Sequence, residues 1–187
     1  MAAAVKLIHA PPRILTRQFL PGLGQILQKG DMRRTQQWQK IVPHQTATIF
    51  NAVADVEKYS SFLPWCRSSR VLGRTAGDDA SGDELQTEIT VGYQTMSSTF
   101  RSRVRIDPLT TIHAESDANE YIEHLSFTWE FRPVGEQTCR LDLKLDFELR
   151  SPEHLLMWEL GNEKIISEYV RQFSKRCRHL ESTQQQA

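Results

Sequence analysis

Residues 139–150 read Cys-Arg-Leu-Asp-Leu-Lys-Leu-Asp-Phe-Glu-Leu-Arg. Cys139, Leu141, Leu143, Leu145, Phe147 and Leu149 alternate without a break with Arg140, Asp142, Lys144, Asp146, Glu148 and Arg150. Successive side chains of a strand point to opposite faces, so this period of two predicts an antiparallel strand with one apolar and one solvated face. A sheet built from such strands needs a cover on its apolar side.

The flanks supply both a partner and a cover. Leu125, Phe127, Trp129 and Phe131 alternate before the turn at Pro133-Val134-Gly135-Glu136, and pairing Phe131 with Cys139 sets Glu130 beside Arg140. After the strand, Ser151-Pro152-Glu153 combines a cap, a first-turn proline and an N-terminal acid, a good helix start. Leu155, Leu156, Met157, Leu160, Ile165, Ile166, Tyr169, Val170, Phe173, Cys177 and Leu180 follow at helical spacing to about Glu181, with Gly161 as a kink position.

Earlier in the chain the same logic repeats. Residues 36–42 predict a first strand with Trp38, Ile41 and Val42, ended by Pro43. Thr46 is placed to cap a short helix with Ile49, Phe50, Val53 and Val56 on one face, and a further helical turn runs from Glu57 to Phe62 before Pro64. Strands are predicted near residues 67–74, from Leu85 to Tyr93, from Met96 to Ile106 and from Thr110 to Ser116. Residues 76–83 have turn chemistry throughout. A tight turn at Gln94-Thr95 sets Ile89 opposite Phe100 and Glu88 opposite Arg101. The fold class read from this order is α+β: a curved antiparallel sheet of about seven strands around a long C-terminal helix.

Of the 23 Lys and Arg residues, Lys6, Arg13, Arg17, Lys29, Arg33 and Arg34 lie in the first 34 positions against Asp31 alone, so the remainder is mildly acidic. That argues against a nucleic-acid binder. Residues 1–35, basic with short apolar clusters and no Ser before Ser60, have the composition of a mitochondrial transit peptide. Residues 36–182 form the folded domain and 183–187 a polar tail. No apolar run approaches the ~20 residues that span a bilayer. Three cysteines, Cys66, Cys139 and Cys177, without paired spacing read as reduced thiols.

Catalytic and metal motifs are absent from the sequence: no C-x-x-C, H-E-x-x-H, G-x-S-x-G or phosphate loop. His9, His44, His113, His124, His154 and His179 are scattered, and no catalytic or metal-binding residue is expected. Arg101, Arg103 and Arg105 read as a solvated face balanced by Glu84 and Glu88. Arg171, Lys175 and Arg178 complement the end of the last helix or an anionic membrane. An aromatic-rich inward set (Trp38, Phe100, Phe127, Trp129, Phe131, Phe147, Trp158, Tyr169 and Phe173) fits either a dry core or a cavity wall, which periodicity cannot distinguish.

The segment Ala52-Val53-Ala54-Asp55-Val56-Glu57-Lys58-Tyr59, followed by Phe62-Leu63-Pro64-Trp65-Cys66, resembles the coenzyme-Q-binding START-domain proteins of mitochondria, within the polyketide-cyclase-like superfamily. Val91-Gly92-Tyr93, Phe100-x-Ser102-x-Val104 and Trp129-x-Phe131 add to it, and the likeness spans about residues 36–180. It implies a helix-grip fold with a hydrophobic cavity. It also implies a chaperone for coenzyme Q or a late precursor, with no other cofactor, on the matrix side of the inner membrane as a peripheral protein. Partners so implied are the quinone, the membrane and complexes of quinone biosynthesis or respiration.

Ligand-binding positions follow from the resemblance and the inward faces together. Leu63, Pro64 and Trp65 mark a rim. Val91, Tyr93, Phe100, Trp129 and Phe131 line the sheet, as do Leu143, Leu145 and Phe147. Ile166 and Val170 line the helix. Two alternatives stay open: a protein-interaction module akin to a ribosome-association toxin, and a cyclase-type enzyme, for which the inward polar groups are Tyr93, Ser98, Ser102, Thr87 and Cys139.

Overall fold

The computed structural model describes residues 32–77, 82–93 and 96–184; the side chains of Tyr93, Met96, Met157, Leu160 and Gln184 lie outside that description. Residues 1–31 of the proposed transit segment, the turn at Gln94-Thr95 and positions 78–81 of the 76–83 loop fall outside the described residues, whereas Arg33, Arg34 and Thr35 belong to the first strand and not to a separate segment.

Seven antiparallel strands form one sheet in the order β1-β7-β6-β5-β4-β3-β2. They are β1 (Arg33–Val42), β2 (Cys66–Thr75), β3 (Asp83–Tyr93), β4 (Met96–Asp107), β5 (Thr111–Ser116), β6 (Ile122–Gly135) and β7 (Thr138–Leu149). Helix α1 (Thr46–Ala54), a 3-10 turn (Val56–Lys58) and helix α2 (Tyr59–Phe62) bridge β1 to β2, and α3 (Pro152–Gln184) closes the chain. At ~1.5 Å per residue α3 is about 50 Å long.

The quoted strand behaves as its period demands. In β7, Cys139, Leu141, Leu143, Leu145, Phe147 and Leu149 are all buried while the intervening residues are half-buried or exposed. The β3–β4 register pairs Ile89 with Phe100 and Glu88 with Arg101, as expected. The β6–β7 register differs by two: Phe131 lies opposite Leu141, and Pro133 opposite Cys139. A two-residue slip preserves face parity, so the alternation fits both registers. The longer hairpin wins, with a bulge between Pro133 and Gly135. Glu130 then faces Asp142, and Arg132 bridges the two carboxylates at 2.7 and 3.2 Å.

Other boundaries shift in small ways. Strand β1 begins at Arg33, because three more residues find partners on β7, from Glu148 to Asp146. Its parity buries Val42 and half-buries Trp38, whereas Ile41 is 67% exposed. Helix α3 reaches Gln184, and residues 185–187 lie outside the description. Thr46 is the first helical residue of α1 and gives no cap; Gln45 holds the cap position without a side-chain bond, and Thr46 Oγ1 is buried with no partner.

The C-terminal end of α3 is fastened by a contact between residues far apart in sequence. His44, 1% exposed, places Nδ1 2.9 Å from Glu181 Oε1 and Nε2 2.7 Å from Ser174 Oγ. Along the N-terminal half of α3, β1 meets the helix through polar side chains. Trp38 Nε1 donates to Glu163 at 3.1 Å, Trp158 Nε1 donates to Gln36 at 2.8 Å, and Arg34 pairs with Glu159 at 3.3 Å.

Adjacent residues of β7 test the two faces. Leu143→Glu puts a charge into the buried face and should abolish cooperative folding, whereas the exposed Lys144→Glu should shift urea stability by less than about 0.5 kcal/mol. Equal loss of folded yield in both variants refutes the face assignment.

Candidate functional site

The concave face of the sheet and α3 enclose two clusters of buried side chains. One gathers α1, α2 and the later part of α3 against β6 and β7, with Phe50, Phe131, Leu141, Tyr169 and Phe173 among its members. The other joins Val91, Phe100, Leu125, Leu145, Phe147, Leu155 and Trp158. Trp38, Trp65, Ile89 and Phe127 pack against both clusters and are themselves only half-buried.

Ile89 lies on β3, next to the edge strand β2, and Phe127 on the interior strand β6, and both share the inward face of their strands. Phe127 faces Leu145 on one neighbour and Ala114 on the other, and Ala114 is also half-buried. Together with Trp38 and Trp65, Ile89 and Phe127 join the two clusters, and their exposed remainder marks the seam between them, the candidate cleft.

The two ends of this cleft differ. One is plugged by aromatic rings: Phe173 lies 5.3 Å from Tyr59, 5.2 Å from Phe62, 5.4 Å from Trp129 and 5.1 Å from Tyr169 by ring centroids. The Tyr59 hydroxyl donates to the Val53 carbonyl, and burial holds its pKa well above the ordinary tyrosine value. The other end carries the connections at residues 63–65 and 117–121 and the start of α3. Trp65 stacks on Tyr169 at 6.3 Å, and its carbonyl accepts from Gly92 N at 2.9 Å. Tyr121 sits edge-on to His154 at 5.7 Å, while Asn119 Oδ1 accepts from the backbone of Tyr121 and Ile122 and Arg150 donates to the Asn119 carbonyl at 2.7 Å. This end therefore presents two half-buried aromatics, Trp65 and Tyr121, on hydrogen-bonded connections.

The predicted ligand positions divide between the two clusters. Leu63, Trp129, Phe131, Leu143, Ile166 and Val170 belong to the first, and Val91, Phe100, Leu145 and Phe147 to the second. Trp65 touches both and is at once rim and packing anchor. Pro64 is exposed and points away from the cluster packing, and the Tyr93 side chain lies outside the described residues. The half-buried Trp38, Ile89, Ala114 and Phe127 were absent from the predicted set. Alternation assigns them to the inward face, but it does not tell a half-buried inward residue from a fully buried one.

Titratable chemistry inside is sparse. All three cysteines are free and buried. Burial raises the Cys66 thiol and pushes Cys177 up to about 12, so neither is a ready nucleophile at neutral pH. Among the described residues no group of His, Cys, Asp and Glu is arranged to hold a metal ion. The Ser174–His44–Glu181 line has the connectivity of a nucleophile, base and orienting acid, a grouping that sequence spacing did not reveal. Ser174 is buried within α3, where the adjacent backbone N–H groups are engaged in the helix, so no oxyanion donors accompany it and the line reads as a fastening. On the outer face Arg101 and Arg70 both bind Glu88 and hold its carboxyl below the usual range, while Arg103 pairs with Glu115 and Arg105 with Asp107 rather than Glu84.

Residues 42–174 match a family model described as polyketide cyclase / dehydrase and lipid transport. A coenzyme Q-binding protein, mitochondrial, of Schizosaccharomyces pombe is 26% identical over 140 residues, covering 74% of this chain and 84% of that one. A ribosome association toxin of Pseudomonas aeruginosa is 30% identical over 112 residues, covering 60% and 73%. Among solved structures, an aromatase/cyclase from a Streptomyces species superposes with a TM-score of 0.68 at 18% identity, covering 78% of this chain and 94% of that one. At that identity the likeness is one of fold.

Truncations separate wall from core. Phe131→Ala should cost about 3–5 kcal/mol in urea unfolding, and Phe127→Ala no more than about half of that, since its ring is only half-buried. Equal costs would show that no cleft lies over Phe127.

Proposed function

Because this chain belongs to the polyketide cyclase / dehydrase and lipid transport family, we propose that it binds coenzyme Q or a late precursor between sheet and helix. In this reading it is a lipid chaperone for quinone biosynthesis and respiratory electron transport. The observation that carries the reading is that inward apolar residues, Ile89, Ala114 and Phe127, stay half-buried between two fully buried clusters. Two mitochondrial coenzyme Q-binding proteins among the relatives, from fission yeast and Xenopus laevis, supply the ligand class.

A carrier is needed because an isoprenoid tail is held in the bilayer by roughly 0.8 kcal/mol per carbon, or about 4 kcal/mol per five-carbon unit. A sleeve that offers the tail apolar walls removes most of that extraction cost. Leu143, Leu145 and Phe147 form one wall, Ile166 and Val170 the opposite one, and Trp65 stands at the open end. The aromatics there suit a membrane interface, one side of the ring apolar and the polar atom wet. No described helix is long and apolar enough to cross a membrane. We place the protein on the matrix side of the mitochondrial inner membrane as a peripheral protein, docking to release or collect quinone. No enzymatic step is assigned: the pair His44–Glu181 fastens α3, and the other inward polar groups described are hydroxyls and thiols.

A second reading rests on the 30% identity to the ribosome association toxin. One purification separates the two. The full chain, isolated from respiring cells and extracted with organic solvent, should yield a quinone by mass spectrometry. A lipid-free protein that instead co-sediments with ribosomes would overturn the carrier reading.

A further inference from the structure

We propose that the hydroxyl pair Ser102–Ser116 is the polar subsite of the cleft and that it donates a hydrogen bond to a carbonyl oxygen on the head of the bound lipid. The inference rests on the lipid-binding reading above and adds to it a chemical requirement on the head.

Strand parity turns both serines inward. On β4, Phe100 and Val104 flank Ser102 and are buried, while Arg101 and Arg103 between them are exposed. On β5, Ser116 shares the face of Ile112 and Ala114, and it lies directly across from Ser102. The two hydroxyl oxygens are 2.8 Å apart. Their surroundings on the concave face are apolar: Leu125 faces Ser116 from β6, and Ile89 and Phe127 stand nearby on β3 and β6. Thr87, which faces Ser102 from β3, has spent its own hydroxyl on the Ser102 carbonyl at 3.3 Å.

Counting protons gives the pair its function. Two hydroxyls carry two donor hydrogens, and their mutual bond uses one. The second hydrogen has no described acceptor. Both residues are half-buried, so that donor opens onto the cleft. An apolar ligand covering this donor would leave it without a partner, whereas a ligand oxygen at this point accepts its hydrogen, so an oxygen is favoured there over a methylene. Selection of a carbonyl-bearing head over a hydrocarbon follows from that difference. Ser116 is also the last residue of β5, immediately before the 117–121 connection at the open end. The head is therefore held near the mouth, where it can be presented without withdrawing the whole tail.

The test compares two probes on the full chain by displacement of a fluorescent apolar dye: a decyl-substituted dimethoxybenzoquinone and decylbenzene. Wild type should prefer the quinone by about tenfold beyond the ratio set by their partition into alkane. The Ser102→Ala/Ser116→Ala double variant should lose that preference and keep its affinity for decylbenzene. Each single variant retains one hydroxyl with a free donor and should keep most of the preference. A double variant with undiminished quinone preference refutes the subsite and leaves the carrier reading standing; a wild type that binds neither probe refutes both. Should the double variant fail to fold, the infrared carbonyl stretch of quinone bound to wild type decides. It should fall below its value in alkane, and an unshifted band overturns the proposal.

Discussion

The rest of the structure depends on a mismatch of widths. Seven strands at ~4.8 Å spacing make a sheet about 30 Å across, and a single helix with its side chains is about 10 Å wide. One helix cannot cover one apolar face of that size if the sheet is flat. The sheet therefore curls about α3, and the short helices α1 and α2 fill one end of the trough with Phe50, Tyr59 and the rings around Phe173. At the other end Leu155 and the Phe147 and Trp158 rings, 5.0 Å apart, are buried, and half-buried rings join the two clusters. The seam between the clusters is what the geometry leaves least filled.

How the helix is held matters for such a cleft. An entirely apolar seam would let α3 slide, since dispersion has no direction. Directional bonds sit instead along one edge and at one terminus. Strand β1 turns Arg34, Gln36, Trp38 and Lys40 toward the helix, where its neighbour β7 turns only apolar residues, and three of these four bond to Glu159, Trp158 and Glu163. At the terminus His44 joins Ser174 and Glu181. No hydrogen bond of this kind is described between α3 and the inner strands β3, β4 and β5, the side on which Ile89 and Ala114 remain half-buried. The helix is fixed where it meets the edge of the sheet and unbonded over the cleft.

Much of this was legible in the sequence because face parity is robust. Alternation at 139–150, 125–131 and 85–106 fixes which side chains turn inward, and those assignments survive even where the β6–β7 register moves by two residues. The same robustness explains the failures. A register slip of two leaves every apolar pair apolar, so only the hairpin and its bulge could settle it. Ile41, next to the buried Val42, is 67% exposed, as parity counted from Trp38 requires. The distinction between Phe131 and Phe127, fully buried against half-buried, depends on what lies across the trough, and strand sequence carries no record of that. His44 and Glu181 are 137 positions apart and meet only once the sheet has closed on the helix.

The chain resembles in fold a protein named as an aromatase/cyclase, and in sequence proteins named as coenzyme Q-binding proteins and ribosome association toxins. Fold alone therefore says little about activity. What differs must be the groups that line the cleft and the state in which they stand. A cyclase in this scaffold needs an acid and a base whose pKa values lie near neutrality and whose side chains reach the substrate. Here burial raises the Cys66 and Cys177 thiols and the Tyr59 and Tyr169 phenols, and the described hydrogen-bond partners of the inward hydroxyls Thr87, Ser102 and Ser116 include no titratable group. In the carrier reading proposed above, these hydroxyls recognise a ligand oxygen while the apolar neighbours take the tail.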